Sequence, residues 1–203
     1  MARPRKQDIQ NANRREELII EAARLFRERG YHGTSMRDIA AATSMHSGSP
    51  FYHFATKQDL LFAGVRDGML NCLQAMGRLE PADLTAEDYF RQLARTHLGF
   101  LLGANAGVVP MVVDEWRHLA GDQRQEVLAL RRRFESLWQA AFERLQQAGL
   151  ARRADKEACR FFLGAMHGIR DWYRPDGPLA PDQLADRLVD WILRAEDQRV
   201  PAP

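Results

Sequence analysis

Residues 22–40 read Ala22-Ala23-Arg24-Leu25-Phe26-Arg27-Glu28-Arg29-Gly30-Tyr31-His32-Gly33-Thr34-Ser35-Met36-Arg37-Asp38-Ile39-Ala40, and this stretch decides the fold. Leu18, Ala22, Leu25 and Phe26 recur at helical spacing, which predicts a helix over 14–29 with one apolar face. Gly30 stands where a left-handed residue ends such a helix. Thr34 or Ser35 then caps a short second helix carrying Met36, Ile39 and Ala40. Ser44 caps a third, running through Ser47 to His53, and Thr43-Ser44-Met45 makes the tight turn between the two. Thr56-Lys57-Gln58-Asp59 has the form of a capping box and opens a longer helix through Leu60, Leu61, Val65 and Met69. Short helices joined by a tight turn within residues 14–54 make a helix-turn-helix pattern.

Beyond Pro81 the helical pattern continues in longer pieces. Thr85 starts a helix through Phe90, Leu93, His97 and Phe100; a glycine-rich passage over 103–107 leads into another over 110–119. The longest runs over about 122–147 on Val127, Leu130, Phe134, Leu137, Ala141 and Leu145, with Gly149 as its stop. Two more cover 155–173 and 181–195, the last with Pro181 in its first turn. No alternating run long enough for a strand occurs, so the fold class is all-α with about nine helices. The expected organisation is a disordered basic arm over 1–13, a helix-turn-helix domain over 14–60, a helical body over 61–197 and a tail over 198–203.

Composition narrows the classes. With 203 residues, 45% hydrophobic and 28% charged, the chain has enough apolar side chains for a core. Two cysteines, Cys72 and Cys159, rule out a disulfide framework or a cysteine-based zinc module. The uncharged stretch 96–113 holds His97, Asn105, Pro110 and several glycines, too polar for a bilayer. No basic-then-apolar leader opens the sequence, so a cytoplasmic protein without membrane attachment is expected. Charge is asymmetric. Residues 1–60 carry ten Lys/Arg against seven Asp/Glu, whereas the remainder carries nineteen against twenty, so a polyanion is directed to the N-terminal end.

The segments 22–31, 34–40, 47–54 (Ser47-Gly48-Ser49-Pro50-Phe51-Tyr52-His53-Phe54) and 56–61 together resemble the tetracycline-repressor (TetR) family of bacterial regulators. The resemblance covers about residues 14–62 and implies operator DNA as partner, bound by a homodimer. On that basis Ser47, Gly48 and Ser49 read base edges, where small side chains let the backbone approach closely. Thr34, Ser35 and Arg37 touch phosphates from the second helix, and Tyr52, His53 and Lys57 from the other side. Arg3, Arg5 and Lys6 resemble a basic arm, and Ile39, Phe51 and Phe54 pack against Leu25 and Phe26. Pro50 departs from the pattern by removing an amide from the recognition helix. By the same resemblance the last two helices pair with their counterparts through Phe161, Phe162, Leu188, Trp191 and Ile192.

The resemblance places a small-molecule effector in the body, lined by His97, Phe100, Leu101, Met111, Glu115, Trp116, Met166, Ile169, Arg170 and Tyr173. Residues 115–119 (Glu115-Trp116-Arg117-His118-Leu119) and 170–179 are similar to a branch that often controls fatty-acid, steroid or other acyl-CoA catabolism. That branch implies an acyl-CoA thioester, with Arg170, and behind it Arg117 and Arg174, for the phosphates. Two alternatives stand beside it: a non-CoA apolar effector, or a metal held by Glu115 and His118 with His97 and His167. No nucleophile elbow, phosphate loop or convincing Ser/His/Asp set occurs, so neither catalysis nor a resident cofactor is expected.

Overall fold

The computed structural model describes residues 6–43, 52–103 and 106–197. Among these, eight α-helices follow one another: α1 (Lys6–Arg29), α2 (Met36–Ala42), α3 (Lys57–Met76), α4 (Ala86–Leu102), α5 (Val109–Val113), α6 (Gly121–Gln147), α7 (Lys156–Trp172) and α8 (Pro181–Asp197). The expected third short helix falls largely on 44–51, outside the described residues, as do Pro50, Phe51, Arg3 and Arg5.

Local chemistry fixes the ends. Gly30, at φ +74°, closes α1 and donates its N–H to Phe26 O at 2.7 Å. Ser35, not Thr34, caps α2: its side chain accepts from Asp38 N at 3.2 Å, and Asp38 Oδ2 accepts from Ser35 N at 2.8 Å. The box at α3 has the same form, with Thr56 and Asp59 exchanging 3.1 Å bonds. Thr85 caps α4 and Asp155 caps α7.

One boundary is corrected. Residues 6–13, expected in a disordered arm, belong to α1. They contain neither Gly nor Pro and lead directly into a helix already nucleated by its apolar stripe, so extension is cheap. The expected helix over 110–119 is instead α5 followed by a 3₁₀ turn over Glu115–His118.

Two compact units result: the described residues up to Met69 with Gly107–Ala129, and Leu70–Ala106 with Leu130 onward. The division falls inside α3 and α6 and not at the expected domain boundary after residue 60. In the first unit Leu18, Ala22, Leu25, Phe26, Ile39, Phe54, Leu60 and Leu61 form the core. Gly64 lets α1, α3 and α5 meet, because a Cβ there would stand 2.4 Å from Met111 Sδ and 3.1 Å from Ile19 Cγ2.

The second unit is built around Phe90, Trp138, Phe142 and Phe162, whose rings meet edge-on or tilted with centroids 4.9–5.7 Å apart. Arg91 bridges Glu87 and Asp190, and Arg95 pairs with Asp186 at 2.7 Å, tying α4 to α8. Phe162 corrects the expected dimer set: it is 2% exposed inside its own subunit, whereas its neighbour Phe161 is 75% exposed. Consecutive residues on a helix point about 100° apart, so only one of the two can face outward. Trp191 is also exposed, and Leu188 and Ile192 are half-buried.

Truncation separates these roles. Phe162→Ala is expected to lower unfolding free energy by about 3–5 kcal/mol in urea titrations. Phe161→Ala is expected to leave the far-ultraviolet helix signal unchanged; equal damage from both would contradict the assignment.

Candidate functional site

The loop 30–34 between α1 and α2 is fastened from three sides. Thr34 Oγ1 donates to Gly30 O at 3.0 Å and to Leu25 O at 3.3 Å. Lys57, at the start of α3, donates from Nζ to Tyr31 O and Thr34 O, both at 2.6 Å, and lies 4.2 Å from the Tyr31 ring centroid. Burial lowers the Lys57 pKa, with Asp38 opposing that shift. Tyr31 stacks on His118, their rings 10° from parallel with centroids 5.1 Å apart. His32 meets His118 edge-on at 4.8 Å.

Two of the expected phosphate contacts are already engaged within the loop. Thr34 is 2% exposed and its hydroxyl is already donated within the loop. Lys57 directs its ammonium at the backbone carbonyls of loop 30–34. The remaining residues are disposed differently. Ser35 and Arg37 are exposed at the start of α2, and Tyr52 is 79% exposed with His53 edge-on to it at 5.3 Å. Burial, then the charges of Arg14 and Arg15, lower the His53 pKa, which favours its neutral form. Ser47, Gly48 and Ser49 lie outside the described residues.

The expected effector residues divide between the units. Met111, Glu115 and Trp116 belong to the first. There Met111 is 0% exposed against Gly64, a core residue of that unit. Glu115 is buried with His118 Nε2 at 3.2 Å from its Oε2, an electrostatic neighbour that makes no hydrogen bond to that oxygen. Arg124 lies over the Trp116 ring at 5.5 Å.

In the second unit His97, Phe100 and Leu101 of α4 and Met166 and Ile169 of α7 are all buried, with Arg170 and Tyr173 half-buried at the end of α7. Arg170 Nε donates to His167 O at 3.1 Å. His97 has Phe134 at 5.0 Å, His167 at 5.4 Å and Trp138 at 5.8 Å by ring centroid. Burial, reinforced by His167, pushes His97 well below its ordinary 6.5, so it is neutral. Sequence reading missed Trp138, having placed Leu137 on the apolar stripe of α6; Trp138 is 0% exposed and Leu137 only half-buried. Among the described residues no three or more of His, Cys, Asp and Glu are placed to hold a metal ion.

The family described as "Bacterial regulatory proteins, tetR family" matches residues 18–63, and "Tetracyclin repressor-like, C-terminal domain" matches residues 83–195. This chain belongs to the TetR family. It is therefore a transcriptional regulator of the helix-turn-helix type, in a family of regulators and not of enzymes. The HTH-type transcriptional repressor KstR2 of Rhodococcus jostii (strain RHA1) is 30% identical over 185 residues, 90% of each chain. KstR2 of Mycobacterium tuberculosis (strain ATCC 25618 / H37Rv) is 30% identical over 186 residues, 89% of this chain and 92% of that one. The solved structure of AibR in complex with isovaleryl coenzyme A and operator DNA superposes with a TM-score of 0.75 and 29% identity, covering 89% of this chain and 98% of that one. No helix among the described residues is long and apolar enough to cross a membrane.

Two outcomes follow from this geometry. Lys57→Ala is expected to destabilise the protein by about 1–2 kcal/mol, as lost charge-assisted bonds do. The slope of log affinity for DNA against log salt should stay unchanged; a drop of about one would restore Lys57 as a phosphate contact. His97 binds a proton more readily unfolded than folded, so stability is complete above 6.5 and falls as pH drops below it. His97→Phe removes that share, flattening the fall of the urea midpoint over the first pH unit below 6.5. Parallel wild-type and variant curves would show that His97 is not buried neutral.

Proposed function

We propose that this protein is a repressor that binds a palindromic operator as a homodimer and leaves it when an acyl-CoA thioester binds the helical body. The observation that carries the effector class is the likeness, along nearly the whole chain, to AibR solved with isovaleryl coenzyme A and operator DNA. Similarity over 90% of the chain to the repressor KstR2 supports the sign of regulation.

The head supplies DNA contacts of two kinds. Ser35, Arg37 and Tyr52 are exposed and chemically suited to phosphates. Ser47, Gly48 and Ser49 keep the base-reading role that the family resemblance gives them. Pairing of two subunits is favoured by the exposed rings of Phe161, Trp172 and Trp191 on α7 and α8, which a second copy would cover. Such pairing sets two heads about one helical turn of DNA apart.

For the effector, the buried side chains of α4 and α7 provide apolar walls, and Arg170 and Arg174 provide cations suited to phosphates. Release then follows from population shift: the thioester favours a conformer whose heads are wrongly spaced, in proportion to its preference for that conformer. Because α3 and α6 each run through both units, a shift of either helix moves side chains in both.

The test is fluorescence anisotropy of labelled DNA from upstream of the protein's own gene, at two salt concentrations, followed by addition of isovaleryl-CoA, longer acyl-CoA thioesters and the matching free acids. Saturable binding released by a thioester but not by its acid is expected. A complex that no thioester releases would discard the effector class.

A further inference from the structure

The interior of the second unit contains three side-chain polar atoms that the described residues do not satisfy; one is Arg144 Nη1, on a side chain that lies over Tyr89, and the other two sit on neighbouring rings. His97 Nδ1 and Trp138 Nε1 have no hydrogen-bond partner among the described residues. The residues are 3% and 0% exposed, and their ring centroids lie 5.8 Å apart. Phe134 flanks His97, and Phe90 and Phe162 flank Trp138. Fully buried Met166 lies on the adjoining α7.

Leaving a buried donor or acceptor unpaired is costly, and native proteins keep few such groups. Two such atoms on adjacent rings can be served by one partner. The indole N–H only donates, so that partner must carry an acceptor. His97 is neutral where it stands, so neither atom offers the full positive charge that a buried carboxylate needs. Arg131, a half-buried cation two turns from Trp138 on α6, faces Glu135, which opposes the lowering of its pKa by burial. A neutral oxygen fits instead. A carbonyl accepts from both nitrogens; a hydroxyl accepts from the indole and donates to the imidazole, according to the His97 tautomer.

We infer that His97 and Trp138 form a polar grip for a single uncharged oxygen, carbonyl or hydroxyl, carried on the apolar part of the effector. The inference rests on the effector reading above only for the source of that oxygen; the grip itself is a property of these two side chains.

The experiment uses full-length protein with ¹⁵N-labelled indoles. The sequence has four tryptophans, so four indole N–H signals are expected, and Trp138 is identified with Trp138→Phe. Should that variant not fold, Trp116→Phe, Trp172→Phe and Trp191→Phe identify it by elimination. Cyclohexanone, cyclohexanol, cyclohexane and cyclohexanecarboxylate are titrated separately. The ketone or the alcohol is expected to move the Trp138 indole proton downfield and saturably, whichever is stronger reporting carbonyl or hydroxyl. Cyclohexane should leave it in place and the carboxylate should bind at least tenfold more weakly. His97→Leu should weaken the ketone or alcohol about tenfold, the loss of one buried hydrogen bond.

A Trp138 signal unmoved by ketone and alcohol overturns the grip and leaves an enclosed water as its partner. Movement by cyclohexane as large as by the ketone also overturns it, because shape alone would then explain the response. Response to the ketone in a protein whose DNA complex no thioester releases keeps the grip and removes the coenzyme A reading. Release by a thioester that never moves Trp138 does the opposite.

Discussion

The Lys57 ammonium, held between the carbonyls of Tyr31 and Thr34, is the contact on which the DNA-binding end depends. Loop 30–34 turns sharply after α1 because Gly30 accepts a left-handed conformation, and a turn of that kind leaves carbonyls without helical partners. Lys57 answers two of them and Thr34 Oγ1 answers Gly30 O. An apolar side chain at 57 could not do the same, since a carbonyl pair needs donors and the site is half-buried. The orientation of α2 relative to α3 therefore rests on a cation in the protein's own interior face, not on DNA.

The same loop is where the second segment of the first unit arrives. Tyr31 carries Lys57 on one side and His118 in a stack, and His118 closes the 3₁₀ turn that begins with buried Glu115. The segment 115–118 is thus in direct contact with the loop that aims the helix-turn-helix.

Much of this was legible in the sequence, for identifiable reasons. The helices were readable because their apolar spacing, the caps Ser35, Thr56, Thr85 and Asp155, and the stops Gly30 and Gly149 are local signals that agree with one another. The family was readable because residues 14–62 carry its motif. Where reading failed, the cause was side-chain direction. A motif places Thr34 and Lys57 near DNA but does not say that each finds a nearer partner in the loop. Helical spacing offers both Phe161 and Phe162 and both Leu137 and Trp138, and only packing decides which faces inward. Helical spacing offered His97 for the effector, but that its Nδ1 and the Trp138 Nε1 lack partners among the described residues is not legible in a sequence, since satisfaction of a buried atom depends on every neighbour in space.

Operator and effector in this scheme oppose each other through one equilibrium, and such opposition is reciprocal: each must weaken the other by the same factor. The most direct measurement is titration calorimetry of isovaleryl-CoA, or of the thioester that releases DNA best, into the free protein and into its complex with DNA from upstream of its own gene. The account predicts weaker thioester binding to the complex, by the factor by which saturating thioester weakens DNA binding. Equal affinity for free protein and complex would contradict it, and would mean that the thioester, if it binds, does not act on the DNA-bound state.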